Sequence, residues 1–353
     1  MKLNRRKFLQ AGLAAGGAGA LVASTPKARA CLTCITEKME RPGPAKLLAA
    51  NTPATAAGSA PASAPYPGSP PEKSEMDPMK FLTAFDYGKV TKLPNGRTQR
   101  EYFIWAGEQN FDIGYGIEMP AWTFNGSIPG PTLRATESDK LLIHFENRAS
   151  KPHTIHFHGI HPAGMDGVFE RVLTGKTFTY EFDAEPFGVF PYHCHMDPVR
   201  KHISRGLFGT MIVDPPQPRP SATEMVMVMH GLDPNLDYEN DFYAVNGVAN
   251  FYAEHPIKIR VGEKVRIYLS NMTEFDLVNN FHLHANMFSW YPSGTSLQPA
   301  ELTDTVNLCQ GQRGVIEFSY KHAGRFLFHA HTTEFMELGW LGIFDVQPAE
   351  AKA

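Results

Sequence analysis

Strong net charge, cysteine and long apolar runs are what this sequence lacks. Its 353 residues carry 33 Lys and Arg against 36 Asp and Glu, a formal charge of -3. That balance argues against a nucleic-acid or anionic-membrane partner. Four cysteines cannot form a disulfide framework in a chain of this size, so each needs its own explanation. Past the N-terminus no stretch is long and apolar enough to span a bilayer. What is plentiful is Gly (30), Pro (28) and His (15). Short Val, Ile, Phe and Tyr runs between those breakers predict an all-β chain, long enough for two domains with their own cores.

The first 30 residues read as an export signal. Asn4-Arg5-Arg6-Lys7-Phe8-Leu9-Gln10 is basic, a weakly apolar run reaches Val22, and Ala28-Arg29-Ala30 is a small-x-small cleavage site. Paired arginines before Phe-Leu resemble a twin-arginine signal, which implies a periplasmic or secreted protein. An amphipathic N-terminal helix is the alternative. Cleavage would leave Cys31 first, although Ala28-Arg29-Ala30 is a poor match to a lipobox. Residues 31–78 read as a tether: Ala, Pro and Ser dominate it, and such composition buries too little apolar surface to fold. Cys31 and Cys34 at its start lack a second pair or a following His, so a disulfide is favoured over metal capture.

Beyond the tether the chain repeats itself. Asn125-Gly126 and Asn246-Gly247 each lead into alternating strands, Lys140–Phe145 in one copy and Lys258–Val261 with Val265–Leu269 in the other. His156-Phe157-His158 is echoed by His282-Leu283-His284, and His193-Cys194-His195 by His329-Ala330-His331. Gly206-Leu207-Phe208-Gly209 is echoed by Gly339-Trp340-Leu341-Gly342. Shared order over two halves indicates duplication of one β-domain, and short alternating strands suit Greek-key sandwiches. The proline-rich run Pro215–Pro220 marks the boundary, giving domains at 79–218 and 219–353.

Eight of the 15 histidines fall in four His-x-His pairs at matching places in the repeat. A solvated polar face explains one such pair more readily than four. If His193-Cys194-His195 is extended, both imidazoles leave on one side and the thiol on the other. His153, three residues before His156, shares the Cys194 face by the same parity. With His202 it makes a His-Cys-His triad, a donor set suited to a blue-copper electron-transfer site. The second copy carries Asn279, Ala330 and Phe335 at those positions. It kept its paired histidines and lost the triad.

His153-x-x-His156-x-His158-Gly159 and His193-Cys194-His195, with His202 and Leu207, resemble the copper signatures of multicopper oxidases. The two-domain, laccase-like members are the best match, over roughly residues 100–347. The resemblance implies two tandem cupredoxin-like domains and four coppers per chain. His153, Cys194 and His202 would bind the type 1 copper, with Leu207 in the axial position, where an apolar residue should raise the reduction potential. Met196 and Met211 are alternative axial groups, though Met211 suits core packing better. His156 and His282 would bind the type 2 copper. His158, His193, His195, His284, His329 and His331 would bind the type 3 pair. Family members of this size form homotrimers, so each trinuclear site is expected between subunits. The partners implied are O2 and a small reducing substrate.

Two carboxylates are candidates for proton supply. Asp166 matches an acidic position of the family, with an Asp-Gly turn as the alternative, and Glu334 stands three residues after His331, where a surface role is favoured. Met196–Lys201 is a longer insertion than in many laccases and should reshape the rim of the type 1 site. His161 is a candidate for that rim, the histidines at 144, 230, 255 and 322 get no ligand role, and Cys309 is expected to be a small buried hydrophobe. A copper nitrite reductase shares the two-domain trimer and the type 1 triad, but needs only one catalytic copper with three histidines. It leaves His195 without a task and resembles an Asp where this chain has His156. A copper-handling or electron-transfer protein is the third reading. Among reductants, phenols, Cu(I) and Fe(II) all stay open, and the lack of a Met-rich insertion tilts towards a laccase-like range.

Overall fold

A computed structural model describes residues 76–350. The signal segment, Cys31, Cys34 and nearly all of the tether lie outside those residues. Four sheets make two β-sandwiches. In the first, one sheet runs Phe85–Asp86, Thr132–Thr136, Phe208–Asp214, Gly188–His193, His156–Phe157 from edge to edge. Facing it are Lys89–Lys92, Thr98–Asp112, Lys140–Asn147 and Thr177–Asp183, with Glu118–Phe124 paired onto the long Thr98–Asp112 strand.

The second sandwich repeats this wiring. Ile257–Arg260, Leu341–Gln347, Gly324–His329 and Val278–Leu283 are neighbours in that order. They reproduce the sequence of one parallel and two antiparallel pairings found from Thr132–Thr136 to His156–Phe157. Its other sheet pairs Thr223–Leu232 parallel to Val265–Asn271, as Thr98–Asp112 pairs with Lys140–Asn147. The echo extends to single glycines. Gly209 stands opposite Tyr192 and Gly342 opposite Phe328, where an added Cβ would fall 2.4 Å and 2.1 Å from the aromatic rings. Only glycine lets those rings lie flat across the neighbouring strand.

Strict alternation builds three cores rather than two. In Thr223–Leu232, Met225, Met227 and Met229 enter the core of the second sandwich, while Val226 and Val228 face the other way. Likewise Met211 and Val213 enter the first core, and Phe208 and Ile212 turn outward. The outward sets meet in a third core between the sandwiches. Met211 is thus a core residue, the role favoured for it over the axial position. Residues Pro78–Phe81 form a short helix capped by Asp77. Although they precede the first sandwich in the chain, Leu82 behind them is buried in the core of the second. Strand parity also corrects one expectation. Cys309 ends the strand Thr305–Cys309 on its outer face and is exposed, not buried.

A charged network closes the edge of this third core. Arg134 of the first sandwich makes a bidentate pair with Asp214 at 2.8 and 2.9 Å and reaches Glu224 of the second at 2.6 Å. Arg266 completes it with Glu224 at 2.9 Å and Glu317 at 2.6 Å. Burial alone would raise the Glu224 carboxyl, but hydrogen bonds from Arg134, Tyr268 and Arg266 outweigh it and hold it down at about 2. A depressed carboxyl stabilises the fold above its ordinary value of 4.5, and that stability is lost as pH falls through about 2. Glu224→Gln leaves two arginines underpaired and should cost about 3 kcal/mol at neutral pH. The gap between variant and wild-type melting temperatures should close as pH is lowered towards 2, and a gap independent of pH would contradict this account.

Candidate metal centres

The strand Gly188–His193 is buried along its whole length. Phe190, Tyr192 and Cys194 point into the first core, and Val189, two turns of the alternation before His193, points away from it. The regular strand stops at His193, two residues short of the sequence expectation, yet the alternation continues. Cys194 N–H donates to Leu207 O at 3.0 Å, so the backbone is held extended past the strand end. His156 lies directly opposite His193 and Phe157 opposite Tyr192, so the imidazoles share the outer face while the aromatic pair fills the core.

On the inner side, His153 and His202 converge on Cys194. Their Nδ1 atoms lie 3.6 and 3.2 Å from Sγ and 3.1 Å from each other. His153 is carried by an isolated bridge to Val172. His202 sits on the helix Val199–Ser204, whose first three residues belong to the Met196–Lys201 segment. Burial, reinforced by His202, pushes His153 down to about 3; burial also brings His202 down to about 4 and lifts the Cys194 thiol to about 11. Two neutral imidazoles and a thiol with nothing cationic among them suit a soft metal ion that displaces the thiol proton. Thr154 N–H donates to Sγ at 3.5 Å, support a thiolate would use. Leu207 is fully buried in the same core as Cys194, together with Met196.

On the outer side, nitrogen atoms of His156, His158 and His193 lie within 4.8 Å of one another. His195 completes the face, its ring stacked 5.8 Å from His193 and edge-on to His156 at 5.4 Å. His158 and His193 meet Nε2 to Nε2 at 3.2 Å, and the Nδ1 of His193 faces Cys194 O at 3.1 Å. That backbone contact takes the Nδ1 proton and leaves Nε2 for a metal. Burial first, then the neighbouring histidines, takes His158 to about 3; burial brings His193 to about 4. Both rings are therefore neutral at pH 7, as ligation requires.

The second sandwich repeats the face. His282 stands opposite His329, and His284 meets His329 Nε2 to Nε2 at 2.8 Å. His329 Nδ1 is 2.7 Å from Ala330 O, matching His193. His331 lies 5.0 Å from the His282 ring. Behind this face the triad is filled in. Trp340 Nε1–H donates to Asn279 Oδ1 at 3.1 Å, Ala330 N–H donates to Trp340 O at 3.2 Å, and Phe335 stacks on Tyr243 at 3.8 Å. Trp340 thus occupies the repeat position of Leu207 and plugs the site with indole.

Asp166 reaches His156 Nδ1 with its carbonyl at 2.8 Å and its carboxylate at 3.1 Å, and His161 Nε2 at 3.7 Å. That places His161 beside the outer histidine face, not at a rim around Cys194. Glu334 is exposed on the helix Thr333–Glu337. His230 is a satisfied core residue, with Nδ1 facing Gly231 O at 3.1 Å and Nε2 accepting from Gly247 N–H at 2.9 Å. The sequence reading missed Thr154 and Trp122. The Trp122 ring packs 4.7 Å from His202 and 5.2 Å from His153, and no spacing signal marks it.

Two family models, each described as multicopper oxidase, match residues 107–218 and 220–350. The chain belongs to the multicopper oxidases. One multicopper oxidase crystal structure is 49% identical and aligns with a TM-score of 0.77 over 78% of this chain and 99% of its own. The copper-containing nitrite reductase of Neisseria gonorrhoeae is 26% identical over 265 residues, 69% of this chain and 67% of that protein. The L-ascorbate oxidase of Cucurbita maxima is 39% identical over 157 residues, covering 39% of this chain but only 25% of that protein. This multicopper oxidase is a copper-dependent oxidoreductase that passes electrons from a reducing substrate to O2. Its two sandwiches are cupredoxin-like. Bound copper supplies one-electron redox chemistry; the chain supplies neutral imidazoles, a buried sulfur and the covalent step from Cys194 to His193 and His195.

Cys194→Ser should abolish the intense visible absorption of the copper-loaded protein and remove about one copper per chain. The outer histidines keep theirs. Retention of the band would show that another sulfur carries it.

Proposed function

We propose that this oxidase holds four coppers. One sits at His153, Cys194 and His202, with Leu207 as an apolar axial neighbour. The other three form a trinuclear site that reduces O2 to water by four electrons. His156 and His282 hold its type 2 copper, and His158, His193, His195, His284, His329 and His331 its type 3 pair. The supporting observation is the pairing of two matched histidine faces, each with only half the ligands. Among the described residues, no cluster of metal-ligating groups combines histidines of both sandwiches. Completion therefore calls for a second copy of the chain, and a ring of three closes such head-to-tail contacts. Exposed apolar side chains in both sandwiches fit an interface of this kind: Ile160 and Phe169 are 69% and 79% exposed, Leu277 and Leu302 89% and 65%.

Asp166, whose carboxylate lies 3.1 Å from His156 Nδ1, is the candidate proton source on the first face, and the exposed Glu334 fits the surface role better. The reductant is a laccase-like small molecule, since nothing at the buried triad offers a methionine-rich approach for a metal ion. The N-terminal 1–30 segment acts as a twin-arginine signal that delivers the protein to the periplasm or beyond. Residues 31–78 act as its tether, followed by domains at 79–218 and 219–353.

Nitrite reduction is the second reading, favoured by the Neisseria relative. His156 and His195 count against it, because a mononuclear three-histidine site uses neither. Copper analysis with optical and EPR spectra, joined to the mass in solution, decides between them. The oxidase predicts about four coppers per chain, a near-ultraviolet shoulder that depends on O2, and a trimer. About two coppers without the shoulder would support nitrite reduction, and a fully active monomer would overturn the shared site.

A further inference from the structure

The triad is closed to solvent: His153 and Cys194 are fully buried and His202 is 5% exposed. A metal ion reaches it only when an element moves. The helix Val199–Ser204, which carries His202, has little of its own to hold it. It is six residues long, follows Pro198 and has no side-chain bond at its N-terminus, and isolated helices of that length do not persist. Packing therefore sets its place. Val199 and Ile203 enter the core between the sandwiches, and Lys201 and Arg205 lie over the Trp122 ring of the first sandwich, at 5.6 and 4.6 Å. Arg200 reaches the other way. Its guanidinium lies 4.8 Å from the Tyr238 ring of the second sandwich, and its charge draws down the Glu274 carboxyl that burial raises.

Tyr238 is an unusual residue for its position. Its φ is +69°, and Phe275, whose ring meets it edge-on at 5.8 Å, also has a φ of +69°. Asparagine or glycine takes the left-handed region readily. An aromatic residue is strained there and stays only where its surroundings fix it. Here they do. The buried Asp233 accepts Asp237 N–H and Tyr238 N–H at 3.1 and 3.0 Å. Asn240 donates on either side of Phe275, to Glu274 O at 2.7 Å and to Asp276 Oδ2 at 2.8 Å. Two loops of the second sandwich, 233–241 and 272–277, are thus stitched into one platform under Arg200. Tyr238 is 42% exposed and belongs to none of the three cores, so its ring contributes little to the sandwich that bears it.

We propose that Arg200, Tyr238 and Phe275 latch the His202 helix shut, so that the second sandwich governs the passage of copper to and from the triad of the first. The proposal rests on the reading that His153, Cys194 and His202 hold a copper. Tyr238 and Phe275 are positioning residues that act through Arg200, two residues before His202. With the latch closed, His202 Nδ1 stays 3.2 Å from Sγ. When it opens, the helix swings away from Cys194, and Cu(II) enters or leaves while the thiol proton is exchanged with solvent. No electron moves in that step. The affinity for copper belongs to the closed state, so loosening the latch speeds entry and exit alike and leaves the affinity almost untouched.

The test follows the visible thiolate-to-copper band of the full chain. The band decays as copper passes to excess chelator and grows as Cu(II) is returned to the copper-free protein. Tyr238→Asn removes the ring but suits the left-handed backbone, Arg200→Gln removes the cation, and Tyr238→Phe keeps the ring. The first two should each speed loss and return about fivefold, the double variant should go no further, and Tyr238→Phe should match wild type. Amide hydrogen exchange of residues 199–206 in the copper-free chain should quicken by the same factor. Total copper in each variant checks the fold. Unchanged rates, effects that multiply in the double variant, or faster loss with unchanged return would each overturn the latch and leave the copper reading intact. The last of these marks a weaker site, not a freer helix. No thiolate band in copper-loaded wild type would overturn both.

Discussion

Alternation of side chains along one extended segment is the constraint on which the molecule depends. From Tyr192 to His195 the chain delivers an aromatic ring and a sulfur to the core and two imidazoles to the outside. A strand spans such a step in about 3.3 Å per residue, so the sulfur on the inner face and the imidazoles on the outer face are joined by a few covalent bonds. Everything nearby serves to keep the segment extended. Gly209 lets Tyr192 lie flat, Leu207 O holds Cys194 N–H, and His156 pairs across from His193. A register slip of one residue would send Cys194 outward and both histidines into the hydrocarbon.

Duplication explains why the second sandwich retains the outer face and discards the inner one. On the proposed shared site the outer histidines would answer to a partner, each face holding half the ligands. The inner triad is drawn from the first sandwich alone. Replacement was by packing. Trp340 fills the volume near Ala330 and spends its N–H on Asn279, leaving no polar atom of the plug unmet. The sandwiches are then fixed to each other through the Met/Val alternation of Thr223–Leu232 and the Arg134–Glu224–Arg266 network. Among the described residues the two histidine faces of one chain share no cluster of ligands.

The features legible in sequence were those governed by short-range parity. Four His-x-His pairs, the Cys194 face and the missing triad at Asn279, Ala330 and Phe335 all follow from a period of two, and the structure keeps them. Less legible were features set by tertiary packing. His202 arrives on a helix, because the segment from Val199 coils over the core instead of extending it. Trp122 comes from a distant hairpin, and nothing in its neighbours announces contact with His153 and His202. His161 was assigned to a rim because of its nearness in sequence, whereas the turn at Asp166 folds it back beside His156. Cys309 shows the cost of ignoring parity, since residue type suggested burial and its place at the strand end dictated exposure.

The central claim is that the outer histidine faces are two halves of one copper site, completed by a second copy of the chain. Anomalous scattering at the copper edge from crystals of the copper-loaded protein tests it most directly. The account predicts a cluster of three peaks where His156, His158, His193 and His195 of one copy meet His282, His284, His329 and His331 of another. An isolated peak on either face, with no histidine from a neighbouring copy beside it, would contradict it.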